Sequence, residues 1–140
     1  MPFRDIAHIA GSAMAAQTVR LNTIASNLAN ADSAATTEAD AYHARKPVFA
    51  TVMQDSGFDE PSAGGAVQVL DVVKSTEPMR KAHEPGNPLA DADGMVYYPN
   101  VNPVAEMTDM MSASRAFETN VEVLGRVNSM QQALLKLGEG

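Results

Sequence analysis

Apolar positions at the two ends of the chain recur at alternating spacings of three and four. Those in the middle do not. At the N-terminal end Phe3, Ala7, Ala10, Met14, Gln17, Leu21, Ile24, Leu28 and Ala31 form one unbroken series. At the C-terminal end Met107, Met110, Ser114, Phe117, Val121, Leu124, Asn128, Gln131 and Leu135 form a second. Such a series lies along one face of an α-helix and has the spacing of a coiled-coil heptad. The first predicts a helix over residues 4–31, roughly 42 Å long, and the second a helix over 103–137, roughly 50 Å long. The two are expected to pair as an antiparallel coiled coil.

Signals at the helix ends agree. Asp5 sits in the first turn of the first helix, where the dipole favours negative charge. Asn27, Asn30 and Asp32 suit its exit, because Asn and Asp tolerate turn geometry. Asn102 is a good N-cap for the second helix. Pro103 takes the first helical position, where its missing N–H is no loss. Glu106 and Asp109 follow in the opening turns, and Gly138 and Gly140 stop the helix. A second apolar stripe, Val123, Val127, Met130, Leu134 and Leu137, runs beside the first.

The middle is Pro- and Gly-rich. Residues 47–53 and 66–73 alternate as strands do, with Val48/Ala50/Val52 on one side and Val67/Val69/Asp71/Val73 in the other run. The connection over 54–65 reads as a long mobile hairpin loop. Residues 78–94 carry Pro78, Pro85, Pro88, Gly86 and Gly94 and read as extended, turn-rich chain. Residues 95–98 read as a short strand stopped by Pro99. The expected fold is mainly α with a small β-containing insert. Residues 1–31 and 103–140 would be the helices of an assembly core, and 32–102 an outer insert with a β-hairpin.

Composition sharpens this picture. The chain has 140 residues, of which 45% are hydrophobic, enough for a folded domain. Most aromatics (Tyr42, Phe49, Phe58, Tyr97, Tyr98) lie in the middle, so a compact core is expected there. Cysteine is absent, which excludes disulfides and thiolate metal sites. The net charge is −7, with −6 of it in residues 32–103. No basic patch forms, which argues against nucleic acid as a partner. No stretch reads as a membrane span or as a Sec-type signal peptide, so direct membrane insertion is not expected.

The surface of the first helix is unusual. From Ile6 to Ala31 its only formally charged side chain is Arg20. A solvated helix normally presents a charged outer face, so a neutral one suits burial among other helices. Length points the same way. A compact domain of this size is roughly 37 Å across, shorter than either helix. Part of the stripes therefore calls for partners from other chains. Gln17, Ser114, Asn128 and Gln131 fall on the stripes, where a buried polar group sets register at some loss of stability.

Candidate chemistry is sparse. His8, His43 and His83 are scattered at no metal-ligand spacing. Asp91-Ala92-Asp93-Gly94 resembles part of a calcium loop, but Leu89 and Asn100 stand where two key ligands belong. A turn whose carboxylate accepts from backbone N–H groups is the better account. Nucleophile-elbow, P-loop and dinucleotide fingerprints are missing. No enzyme, catalytic residue, metal or cofactor is expected. Two readings stay open on the residues alone: a subunit of a helical assembly, and a monomeric helical-hairpin adaptor.

One family shares these residues. The run Leu21-Asn22-Thr23-Ile24-Ala25-Ser26-Asn27-Leu28-Ala29-Asn30-Ala31 resembles the N-terminal motif of bacterial flagellar rod, hook and hook-associated proteins. The block from Pro88 to Met107, with Asp91, Asp93, Gly94, Tyr97, Tyr98, Pro99, Asn100 and Asn102, resembles FlgC-type proximal rod proteins of the basal body. Residues 42–49, Glu84-Pro85-Gly86 and 112–122 fit the same family, although Phe117 stands where Tyr is usual.

The resemblance implies a structural subunit that polymerises, with copies of itself and with other rod proteins, into a torque-transmitting tube across the periplasm. It implies export by the flagellar type III apparatus without a cleaved signal peptide, and termini poorly ordered before assembly. Met14, Leu21, Ile24, Leu28, Phe117, Val121, Leu124 and Leu135 are the expected assembly residues.

Overall fold

A computed structural model describes residues 2–53 and 65–138. In order these form α1 (Pro2–Ala29), β1 (Arg45–Met53), β2 (Gly65–Lys74), β3 (Arg80–His83), β4 (Met95–Tyr98) and α2 (Pro103–Gly138). Of the predicted 54–65 loop, residues 54–64 lie outside the described residues, and Gly65 opens β2.

The chain is mainly helical with a β insert, as its periodicity predicts. The helices run to 28 and 36 residues. Asn102 caps α2: its Oδ1 accepts from the Val104 N–H at 3.1 Å and the Ala105 N–H at 3.3 Å. The insert contains two antiparallel two-stranded sheets, β1–β2 and β3–β4. The first is the predicted hairpin, although burial along it does not alternate: Val48 and Val52 are exposed, and a bulge at Val48/Phe49 leaves Leu70 without an opposite residue.

The second sheet corrects the reading of residues 78–94. Arg80–His83 is a strand, paired through Arg80↔Tyr98 and Lys81↔Tyr97. Four residues between prolines are too few to display an alternation. The strand exists because of what lies across from it. The Arg80 guanidinium lies over the Tyr98 ring at 4.8 Å, and the Lys81 ammonium over the Tyr97 ring at 5.1 Å. Ala35 adds a further rung through paired hydrogen bonds with Tyr97, at 2.9 and 3.0 Å.

Packing follows from these elements. α1 lies against α2 on one side and against β1–β2 on another. The direction of the helix pair can be read from two points. Arg20 meets Asp109 at 3.2 Å, while Asn27 and Asn100 both bind the backbone at residues 44–45. The end of α1 therefore adjoins the start of α2, and α2 runs back alongside α1. The hairpin also runs back along α1, since Arg45 is held at Asn27 and the Val67 N–H donates to Ser12 Oγ at 3.0 Å.

One part of the core sits at the base, where α1 ends and α2 begins. It contains Ala31, Ala41, Ala44, Met79 and Val96, the last with no exposed surface. The core is thus not confined to the middle segment as expected: Ala10, Ala16, Ile24, Ala113 and Val127 bury as fully along the helix pair, and small aliphatic residues rather than aromatics build both parts. Tyr42, Tyr97 and Tyr98 are only half-buried, and Phe49 is exposed.

Candidate assembly interface

Asn27 is the hinge pin of the base. It is 1% exposed and its amide makes three hydrogen bonds. Nδ2 donates to the Arg45 carbonyl at 2.8 Å, and Oδ1 accepts from the Arg45 N–H at 2.9 Å and the Tyr42 hydroxyl at 3.0 Å. One side chain thus supplies both bonds that a neighbouring strand would give Arg45. Asn100 works alike: Oδ1 accepts from the Ala44 N–H and Nδ2 donates to the Glu77 carbonyl, both at 2.7 Å. Two asparagines therefore tie the helices to the start of the hairpin. Asn27 does more than shape the helix exit. Asn30 does shape it, donating from Nδ2 to the Ser26 carbonyl at 2.8 Å.

The Asp91–Gly94 turn is the predicted carboxylate-capped turn. Asp91 Oδ1 accepts from the Asp93 N–H at 2.9 Å and the Met95 N–H at 2.8 Å. Gly94 closes it with φ +74°, and a Cβ there would press on His83 and Pro85 at 3.2 Å. The Asp93 side chain points to the exposed side. Pro99 is buried beside this turn's strand. The Tyr98 hydroxyl donates to Glu84, whose Oε2 also accepts from Asn87 Nδ2 at 2.9 Å. Partial burial, then the Glu84 carboxylate, raise the Tyr98 pKa above its ordinary value of 10.0. Among the described residues no three His, Asp or Glu side chains converge on a possible metal position.

Placed on the molecule, the expected assembly residues divide. Every position of the predicted α1 stripe is at least half-covered: Ile24 is buried, and Met14, Leu21 and Leu28 are half-buried. On α2 the covered face centres on Met110, Ala113, Phe117, Asn120, Leu124 and Val127. It keeps the three–four alternation but shares only Met110, Phe117 and Leu124 with the predicted series. Small Ala113, fully buried, takes the place expected for Ser114, and Val127 that of Asn128.

Val121 and Leu135 are exposed, at 48% and 69%. Past Val127 every described residue of α2 is exposed, including Met130, Leu134, Leu135 and Leu137. Sequence reasoning missed Ser12 and Asn120. Asn120 turns its Nδ2 to the Ala116 carbonyl at 2.8 Å, which lets a polar residue sit on a covered face. No helix among the described residues is long and apolar enough to cross a membrane.

Comparison with known proteins agrees with this layout. Residues 8–34 match the family described as flagella basal body rod protein. Residues 92–137 match the C-terminal family of the flagellar basal body rod FlgEFG proteins. The chain is 49% identical to the flagellar basal-body rod protein FlgC of Escherichia coli O6:H1, over 99% of this chain and 100% of that protein. Its counterpart in Salmonella typhimurium is 48% identical, again over 99% and 100%. The Bacillus subtilis protein of the same name is 29% identical over 94% of this chain and 95% of its own length. Of the two readings that the residues left open, these relatives select the rod subunit. The chain belongs to the FlgC family of flagellar basal-body rod proteins and is a structural subunit of the basal-body rod.

Proposed function

We propose that the subunit polymerises, with copies of itself and with neighbouring rod proteins, through α1 and α2. The paired helices then act as an antiparallel coiled coil in the wall of a tube, with residues 32–102 as the outer insert. One observation carries this reading: α2 outruns its partner. The eleven described residues beyond Val127, roughly 16 Å of helix, are all exposed. Leu134, Leu135 and Leu137 are 54%, 69% and 78% exposed there. Such a stripe is stable and soluble only when something covers it. Met107, Met111 and Val121, also exposed, extend the uncovered surface along α2.

A tube of packed helices resists twisting because close-packed side chains have low compressibility. That suits torque transmission across the periplasm. Export through the flagellar type III apparatus, without a cleaved signal peptide, belongs to the same reading and rests on the family resemblance. Met14, Leu21, Ile24, Leu28, Phe117, Val121, Leu124 and Leu135 are its assembly residues. Leu28→Asp or Phe117→Asp should abolish incorporation into basal bodies while the β insert still folds. Incorporation at the normal level, with motility intact, would refute the role.

A further inference from the structure

A groove of about 270 Å³ lies between α1 and the β1–β2 hairpin, lined by Ala13, Ala16, Gln17, Phe49, Thr51 and Val67 among others. None of its lining residues carries a charge. Gln17, one of the lining residues, carries an anomaly: its Oε1 is buried, and no group among the described residues donates to it. Buried carbonyl oxygens are nearly always satisfied, so an orphan of this kind marks a place where something is still to arrive. The arriving group must bring an N–H or O–H donor on an otherwise apolar surface.

The α2 segment past Val127 has that chemistry. Gln131, Gln132 and Lys136 supply donors, and Leu134, Leu135 and Leu137 supply apolar surface. Lys136 is its only charge within 128–138, and its long stem can keep the ammonium in water at the groove rim while the apolar side chains seat. A chain cannot fill its own groove with this segment. The Arg20–Asp109 contact puts Gln17 level with about residue 112, and Gln131 lies roughly 28 Å farther along the helix.

We infer that the 128–138 segment of α2 from a second copy docks in the α1–hairpin groove, and that the Gln17 amide turns toward the groove so that Oε1 accepts a hydrogen bond from it. This deepens the polymerisation reading and rests on it. The contact is heterologous, joining two different surfaces of the same chain. Contacts of that type propagate into open helical arrays unless the rotation happens to close. Gln17 then sets the register of one copy on the next, because an apolar surface alone tolerates sliding.

The absence of cysteine makes the test clean. Thr51→Cys and Leu134→Cys chains are expressed together and assembled into basal bodies, which are then purified and oxidised. A disulfide-linked dimer should form only when both variants are present. A lysine-reactive cross-linker on wild-type basal bodies reports whether copies adjoin at all. Cross-linked dimers without the 51–134 disulfide overturn the inference and leave polymerisation standing. No dimers by either route overturns both.

Gln17→Leu supplies a second arm. Removing an orphan oxygen should leave the melting temperature of the free subunit unchanged or a few degrees higher. The yield of the 51–134 disulfide should fall at least about fivefold. A melting temperature lowered by several degrees, with the disulfide yield intact, means that a donor within the folded chain or a trapped water already serves Gln17. That result overturns the inference.

Discussion

The two long helices carry the same heptad rhythm and meet different fates. α1 is covered along its whole stripe, by α2 on one side and by the hairpin on another. α2 is covered on one face only, and past Val127 on none. Periodicity is a property of one helix, whereas burial counts the surfaces that reach it. A similar stripe therefore describes a core in α1 and an uncovered face at the end of α2. The contrast also explains why α1 can lack charge: with two neighbours it has little surface left to solvate.

Substitutions should separate the helices by size of effect. Ile24→Ala, in the middle of α1, should destabilise the free subunit most, by about 3 kcal/mol in urea unfolding. Asn27→Ala should follow at about 2 kcal/mol, since it strands both backbone groups of Arg45. Asn102→Ala removes the cap of α2 and should lower stability by about 1 kcal/mol. Leu135→Ala, beyond the reach of α1, should change it by less than about 0.5 kcal/mol yet reduce incorporation into rods. A Leu135 effect as large as that of Ile24 would break the comparison, because it would mean that the end of α2 is covered in the single chain.

The smallest effect concerns pH. The folded state holds the Tyr98 proton more tightly than the unfolded state, so the stability it contributes is complete below the unfolded pKa near 10.0. It is lost as pH rises through the raised folded value. Tyr98→Phe should remove that alkaline loss, which a pH series of thermal melts would read. An unchanged alkaline slope would show that burial of Tyr98 and its Glu84 contact do not stabilise the β3–β4 sheet.

Both helices, the first hairpin and the capped Asp91 turn were legible in the residues. Each depends on local signals: heptad spacing, Asn102 and Pro103 at a helix start, alternating valines, an Asx residue ahead of Gly94. The β3 strand was not legible, because Arg80 and Lys81 become strand residues only when Tyr98 and Tyr97 lie opposite them. Nor was the register of the α2 seam. Ala113 rather than Ser114 faces α1, and a stripe two residues wide permits either choice. The role of Asn27 as the partner of a strand 18 residues later had no sequence pattern to announce it.

By itself the sequence determined where helices and strands form and that some apolar surface outruns the chain's own means of covering it. Those properties follow from neighbours within a few residues. Only the tertiary structure decided which surface that is, where the base is pinned, and that no described residue donates to the buried Gln17 oxygen. These depend on contacts between residues far apart in the chain, and close packing settles them only when every element is in place.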